Sequence, residues 1–350
     1  MPQLSSRTDE AGWNTPAVDA LLDESPPLPH SDIFRREQAA AIQQYLDRQS
    51  LPGRIIRVGA FPSHTFFVLR PGGRRPGPQP PVTVEDIMQQ LPGLRDTLQA
   101  RQLGLVPSLR LGLNDVGLIV RMAEHHPLHL RDLVLMKAFT TLPGHTALPL
   151  GLAVKQQVLV RDLVGLPHLL IFGDAPGAAS ALRSLLLTLA LLNTPAELRI
   201  ALVQLTTAEN PPLGELVRLP HVLGQRMRSA VEGWRLLNGL AIEQRRRSLL
   251  FAHYDVPDLE AYNREAAANA VERLPRLLLV LDGLLDADWL LIQERWLAPL
   301  TELAAQGHQT GIHLFLTVHG DDEAALPEML SVLDLPRLVL RSATGAARSL

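Results

Sequence analysis

Residues 166–192 read L-P-H-L-L-I-F-G-D-A-P-G-A-A-S-A-L-R-S-L-L-L-T-L-A-L-L, and the centre of that stretch, G-D-A-P-G-A-A-S at 173–180, decides the fold. Leu169-Leu170-Ile171-Phe172 is short, apolar and strand-like, whereas Ala181 to Leu192 is long, apolar and rich in helix formers. Strand, glycine-bearing turn, hydroxyl residue, helix is the order of a phosphate-binding loop, whose backbone N–H groups and lysine neutralise terminal phosphates. Here Ala179 stands at the lysine position and Ser180 at the magnesium-ligand position. The chain's two lysines, Lys137 and Lys155, both lie outside any glycine-rich turn. The pattern predicts a nucleotide-binding scaffold whose chemistry is deleted. Gly173, Gly177, Ala179, Ser180 and Arg183 would be its vestigial contacts.

Outward from this stretch the chain alternates strand and helix. Continuous apolar runs predict strands at 169–172, 199–205, 277–281, 312–318 and 337–341, as in a parallel sheet covered on both faces. Helices are predicted at 179–192, 224–253, 258–270 and 289–306, which gives a doubly wound α/β domain over 144–350. Residues 34–143 read as a smaller α+β module. It has a helix over 33–47 capped by Asp32, strands at 54–60 and 65–70, and a proline- and glycine-rich loop at 71–81. A helix over 84–102, interrupted near Pro92-Gly93, and a hairpin of 109–113 with 117–122 about Asn114-Asp115 complete it. Residues 1–33, polar and proline-bearing, read as a flexible arm with one amphipathic piece at Val18 to Leu22.

Composition narrows the function classes. The net charge of −3 and pI of about 6.5 give no global pull towards DNA or anionic membranes. An aromatic content of 4% leaves few stacking platforms for single strands. The absence of cysteine excludes disulfides, thiolate zinc sites and cysteine nucleophiles. The apolar run Leu182 to Leu192 falls short of the ~20 residues a membrane helix needs, and the N-terminus does not read as a signal peptide. The expectation is a cytoplasmic protein without direct membrane insertion.

A nucleotide hydrolase also needs a strand-end aspartate for magnesium, a water-activating carboxylate and a transition-state cation. Asp282 ends the run L-L-L-V-L-D, but Gly283 follows where the activating glutamate would stand; Asp286 and Asp288 are offset and read as loop and helix cap. His319 stands at the tip of the next strand, where such folds place a polar sensor. Asp282 and His319 are therefore vestigial catalytic candidates. His125, His126 and His129 cluster, but Pro127 breaks the backbone between them and Glu124 is the one carboxylate at ligand spacing, so no designed metal site is expected.

Together these residues resemble the motor region of the FtsK/SpoIIIE family of DNA translocases, from about residue 18 to residue 350. The most specific stretch is R-R-R-S-L-L-F-A-H-Y-D-V-P-D-L-E-A-Y-N at 245–263; 148–153, 166–173, 304–316 and 342–350 are also similar, and F-F-V-L-R-P-G at 66–72 falls in the α-subdomain-like module. The resemblance implies a RecA-like core. The departures fall on chemistry. Pro176 replaces a cradle glycine, Ala179 the lysine, Gly283 the glutamate and His319 the sensor glutamine. Gln204 and Thr206 replace an Asp-x-Lys pair, and His308 an arginine. The segment after the sensor strand carries Asp321, Asp322, Glu323 and Glu328, which would repel a duplex. The chain read to Leu350 has no counterpart of the family's winged-helix domain.

The resemblance thus implies a pseudo-ATPase acting as scaffold or regulatory subunit. Its partner would be a protein, such as an intact motor of the same kind, with no cofactor expected and double-stranded DNA bound weakly if at all. The alternatives are an atypical ATP- and Mg²⁺-dependent translocase in which Arg183 replaces the lysine, and an ATP-independent DNA-binding module. Arg226, Arg228, Arg235, Arg245, Arg246 and Arg247 are the candidate DNA or partner surface.

Overall fold

A computed structural model of the chain describes residues 12–24, 32–61, 64–72, 82–106, 115–121, 128–141, 144–152, 158–166, 168–205, 213–224, 227–269, 271–284, 289–320, 330 and 333–340. In chain order the first described elements are α1 (Val18–Leu21), α2 (Asp32–Arg48), β1 (Gly53–Phe61), β2 (His64–Pro71), α3 (Val84–Gln89), α4 (Leu91–Thr97), β3 (Gln102–Val106), β4 (Val116–Arg121), α5 (Leu130–Leu135) and α6 (Lys137–Thr140). There follow β5 (Ala147–Leu152), β6 (Val158–Asp162), β7 (His168–Gly173), α7 (Ala175–Leu192), β8 (Leu198–Gln204), a 3₁₀ turn (Gly214–Arg218), α8 (Ala230–His253), α9 (Leu259–Ala268), β9 (Arg276–Asp282), α10 (Trp289–Gln306), β10 (Ile312–His319) and β11 (Arg337–Val339).

The chain divides into two compact units: Met1–Leu22, Val134–Leu150 and Val160–Leu350 in one, Asp23–Leu133 and Gly151–Leu159 in the other. The smaller unit thus differs from a continuous 34–143. Its sheet has the order β1-β2-β4-β3, antiparallel throughout. Period-2 alternation puts Phe67, Leu69, Val116, Leu118 and Val120 on one face, where they pack with Ile42 and Leu46 of α2 and Leu94 of α4. Two expectations are corrected. The strand pairing with β4 is β3 at 102–106, next to a helical pair that ends at Thr97, while the expected strand at 109–113 lies outside the described residues. Asp115, expected in the turn of that hairpin, instead directly precedes β4, is buried and accepts two hydrogen bonds from Arg70, of 2.8 and 3.1 Å.

The larger unit carries the five-stranded parallel sheet, in the order β11-β7-β10-β9-β8. This is the expected doubly wound, RecA-like sheet. Alternate residues of each strand feed two cores. Leu170 and Phe172 join Trp296, Leu300 and Leu237 under α8 and α10, while Leu169 and Ile171 join Leu182, Leu185 and Leu189 of α7. Gly233 lets α8 approach α10, since a Cβ there would meet the Trp296 ring at 2.8 Å. Residues 12–22, expected as part of an arm, lie against this unit: Trp13 meets His221 edge-on at 5.1 Å and Thr15 and Val18 are buried.

Two boundaries move. α8 starts at Ala230, not 224, because Ser229 and Glu232 form a capping box. α7 starts at Ala175, four residues before the expected 179. At 18 residues it is long and apolar enough by composition to cross a membrane, yet 56% of it is buried against the sheet, so its hydrophobicity fills a core.

Candidate functional site

In an open parallel sheet, ligands bind outside the carboxyl ends of adjacent strands whose following connections leave in opposite directions. Here those strands are β7, which leads away to β8, and β10, which leads back past β7 to β11. The sheet register sets His319, the last residue of β10, beside Gly173, the last of β7, and Gln204 beside Asp282 on the next pair. Gly173, Asp282 and His319 therefore meet at one sheet edge, as the strand pattern predicts.

At this end of the sheet Gly173 is closely flanked by the strands on either side. Gly320 N–H donates to the Gly173 carbonyl at 3.0 Å, and a Cβ on Gly173 would meet the Leu340 Cβ at 2.8 Å. Beyond Gly173 the expected loop is already helix. Asp174 caps α7, its Oδ1 accepting the Gly177 N–H at 2.9 Å, while the Ala178 N–H binds the Asp174 carbonyl. Pro176 has no N–H to offer. Ala179 is 4% exposed and packs in the α7 core. Ser180 and Arg183 are exposed further along the same helix.

Asp282 is 1% exposed. Its Oδ1 accepts from Thr317 Oγ1 at 2.7 Å, and Thr317 Oγ1 in turn accepts the Gly283 N–H at 2.8 Å. Gln204 Nε2 reaches Oδ2 only at 3.5 Å, and His319 Nε2 lies 3.6 Å from Oδ1. A polar clamp across β8, β9 and β10 results, with Thr317, which the sequence reading passed over, at its centre. Its signal was its place two residues before His319 on β10.

The arginine surface is corrected. Arg247 is buried, with Nε on Glu243 at 2.8 Å and Nη1 on the carbonyls of Pro275 and Thr310 at 2.9 and 2.8 Å. Arg246 binds Glu243 through two bonds, and Arg245 binds Glu302 likewise. Hydrogen bonds from Arg246 first, then Arg247, hold the Glu243 carboxyl down to about 2 against the opposing cost of burial. Arg228 and Arg235 are exposed. Arg226, Lys155, Thr206, Asp286, Asp288, His125, His126, Asp321, Asp322, Glu323 and Glu328 lie outside the described residues.

The FtsK/SpoIIIE family is the one whose model matches, over residues 129–343. The chain is 27% identical over 293 residues to a DNA translocase FtsK of Helicobacter pylori, covering 83% of this chain and 33% of the relative. With the FtsK of Caldanaerobacter subterraneus subsp. tengcongensis it is 26% identical over 315 residues, covering 88% and 42%. A DNA translocase SftA of Bacillus subtilis is 26% identical, covering 85% and 30%. The chain thus spans roughly a third of the length of these curated relatives. Among solved structures, the monomer form of the pCW3 conjugation coupling protein TcpA with ATPgS matches with a TM-score of 0.51 at 16% identity, covering 88% of this chain and 84% of that one, a likeness of fold.

Proposed function

The chain belongs to the FtsK/SpoIIIE family, and from that premise we propose that it is a non-catalytic member, a scaffold or regulatory subunit that packs against a protein partner such as an intact motor of the same family. The carrying observation is the local structure of 173–180. The first turn of α7 spends the Gly177 N–H on Asp174, places a carboxylate where a triphosphate would need cations, and turns Ala179 into the core. A magnesium-triphosphate finds a poor fit in this donor set: no lysine, no proline N–H, and an Asp282 carboxylate already tied to Thr317.

The test is titration calorimetry with Mg-ATP alongside a steady-state hydrolysis assay. The expected result is neither binding at millimolar nucleotide nor turnover. Micromolar binding, or hydrolysis lost on Asp282→Asn, would instead establish the atypical translocase, the reading that the DNA translocase relatives favour. For duplex binding the reading expects weak, salt-sensitive association, since phosphate contacts release counterions and Arg245, Arg246 and Arg247 are engaged by the protein's own carboxylates and carbonyls.

A further inference from the structure

At the opposite edge of the same sheet, the amino ends of β7, β9 and β10 gather three imidazoles and a guanidinium. His168 opens β7 at 2% exposure, and its Nδ1 accepts the Leu314 N–H of β10 at 3.1 Å. That bond assigns the ring proton to Nε2, which is buried without a hydrogen-bond partner of good geometry, although the Ala304 backbone of α10 acts on the ring in favour of the charged form. His308, exposed on the turn after α10, meets the His168 ring edge-on with centroids 6.4 Å apart, and the buried His313 of β10 lies at the same separation, tilted. Nη1 of Arg276, the first residue of β9, sits 3.3 Å from His313 Nε2. The carboxylates here serve Arg276: Glu260 of α9 pairs with it, and Asp162 of β6 and Asp258 at the start of α9 act on it from farther away. Among charged groups it is His308 that acts on His168, and it opposes protonation.

We propose that this cluster is an acid-operated latch joining β7, β10 and α10: neutral His168 closes it, and protonation of His168 opens it. An imidazolium has no acceptor at Nδ1, so a proton there evicts the Leu314 N–H from its buried bond. The charged ring would also lie buried beside a second imidazole and near a guanidinium. Burial, then His308, accordingly pushes the His168 pKa down to about 4. The sign follows from linkage. The folded value lies below the ordinary 6.5, so closure is fully favoured above about pH 6.5 and is lost as the pH falls towards 4.

The latch sits beneath a junction. In the adjoining turn, Ile312 N–H binds the Gly307 carbonyl, the Thr310 carbonyl accepts from Arg247 of α8, and the Gln309 carbonyl accepts from Leu259 of α9. Leu314 follows this turn by two residues on β10, next to the point where α8, α9 and α10 meet the sheet.

Amide hydrogen exchange of Leu314 in the full chain, corrected for intrinsic rate, tests this. The opening constant should rise on the order of 20-fold between pH 7 and pH 5, from about tenfold per pH unit below the unfolded value. His168→Asn, whose carbonyl oxygen can accept the same N–H without titrating, should abolish that rise. A flat profile in the wild type, or the same slope in the variant, would overturn the latch. Should the variant not fold, the wild type decides: a His168 ring neutral down to about pH 5 together with a Leu314 opening constant that rises over the same range upholds the proposal, and a ring titrating near 6.5 or a flat opening constant sinks it.

Discussion

Ala179 shows how one position carries both sequence and structural meaning. A missing lysine reads as a single deletion that one substitution could reverse. In the fold, Ala179 is the fifth residue of α7, its N–H belongs to the helix ladder, and its methyl packs among Leu182, Leu185 and Ile171. Ala179→Lys should therefore leave Mg-ATP binding undetectable by calorimetry. It should also lower stability in urea by about 2 kcal/mol, because a longer side chain overfills a packed core and must drag its ammonium to the surface. A variant that gains nucleotide affinity at unchanged stability would mean that the loop refolds around phosphate. The first turn was legible, had its signals been weighed against the glycines: Asp174 followed by Pro176 is an N-cap with proline just inside the helix, and Ala178-Ala179 extend it. What the residues alone could not show was Thr317 reaching across to Asp282, since that contact exists only once β9 and β10 are in register.

Among the elements, strands of continuous hydrophobicity were legible to within a residue or two, because a parallel strand buried on both faces leaves little room for polar punctuation. Helix α8 was legible as a helix but not in its orientation. Its arginine run looks uniform in sequence, yet the 100° step per residue turns Arg247 inward while Arg245 and Arg246 face out. The three should therefore behave differently. Arg247→Ala removes the donors to Pro275 and Thr310 and one partner of Glu243, and should cost about 3 kcal/mol in denaturant unfolding, as breaking a buried pair does. Arg245→Ala, at an exposed pair with Glu302, should hardly move the midpoint. Equal effects from both would mean that the run acts as one surface after all, as the sequence alone suggests.

For the whole molecule, the proposed loss of nucleotide binding would be felt in assembly. A ligand that binds only the assembled state stabilises it by mass action, so a motor with nucleotide at its subunit boundary draws part of its cohesion from that nucleotide. On the proposed reading, a chain whose α7 caps itself with Asp174 would forgo this contribution. His308 adds to the deficit. The resemblance places an arginine there, and an exposed imidazole supplies neither a permanent charge nor the five-donor fork that bridges to a neighbour's phosphate. The isolated chain should therefore sediment at tens of micromolar as a monomer or a small, concentration-dependent oligomer, and Mg-ATP should leave the distribution unchanged. Adding an intact motor of the same family should shift this chain into a larger species, with ATP then acting through the partner's loop. A single stable hexamer formed by the chain alone, or one that appears only with ATP, would contradict the scaffold reading from opposite directions: the first by showing cohesion that needs no partner, the second by showing that the crevice at Gly173 opens for nucleotide.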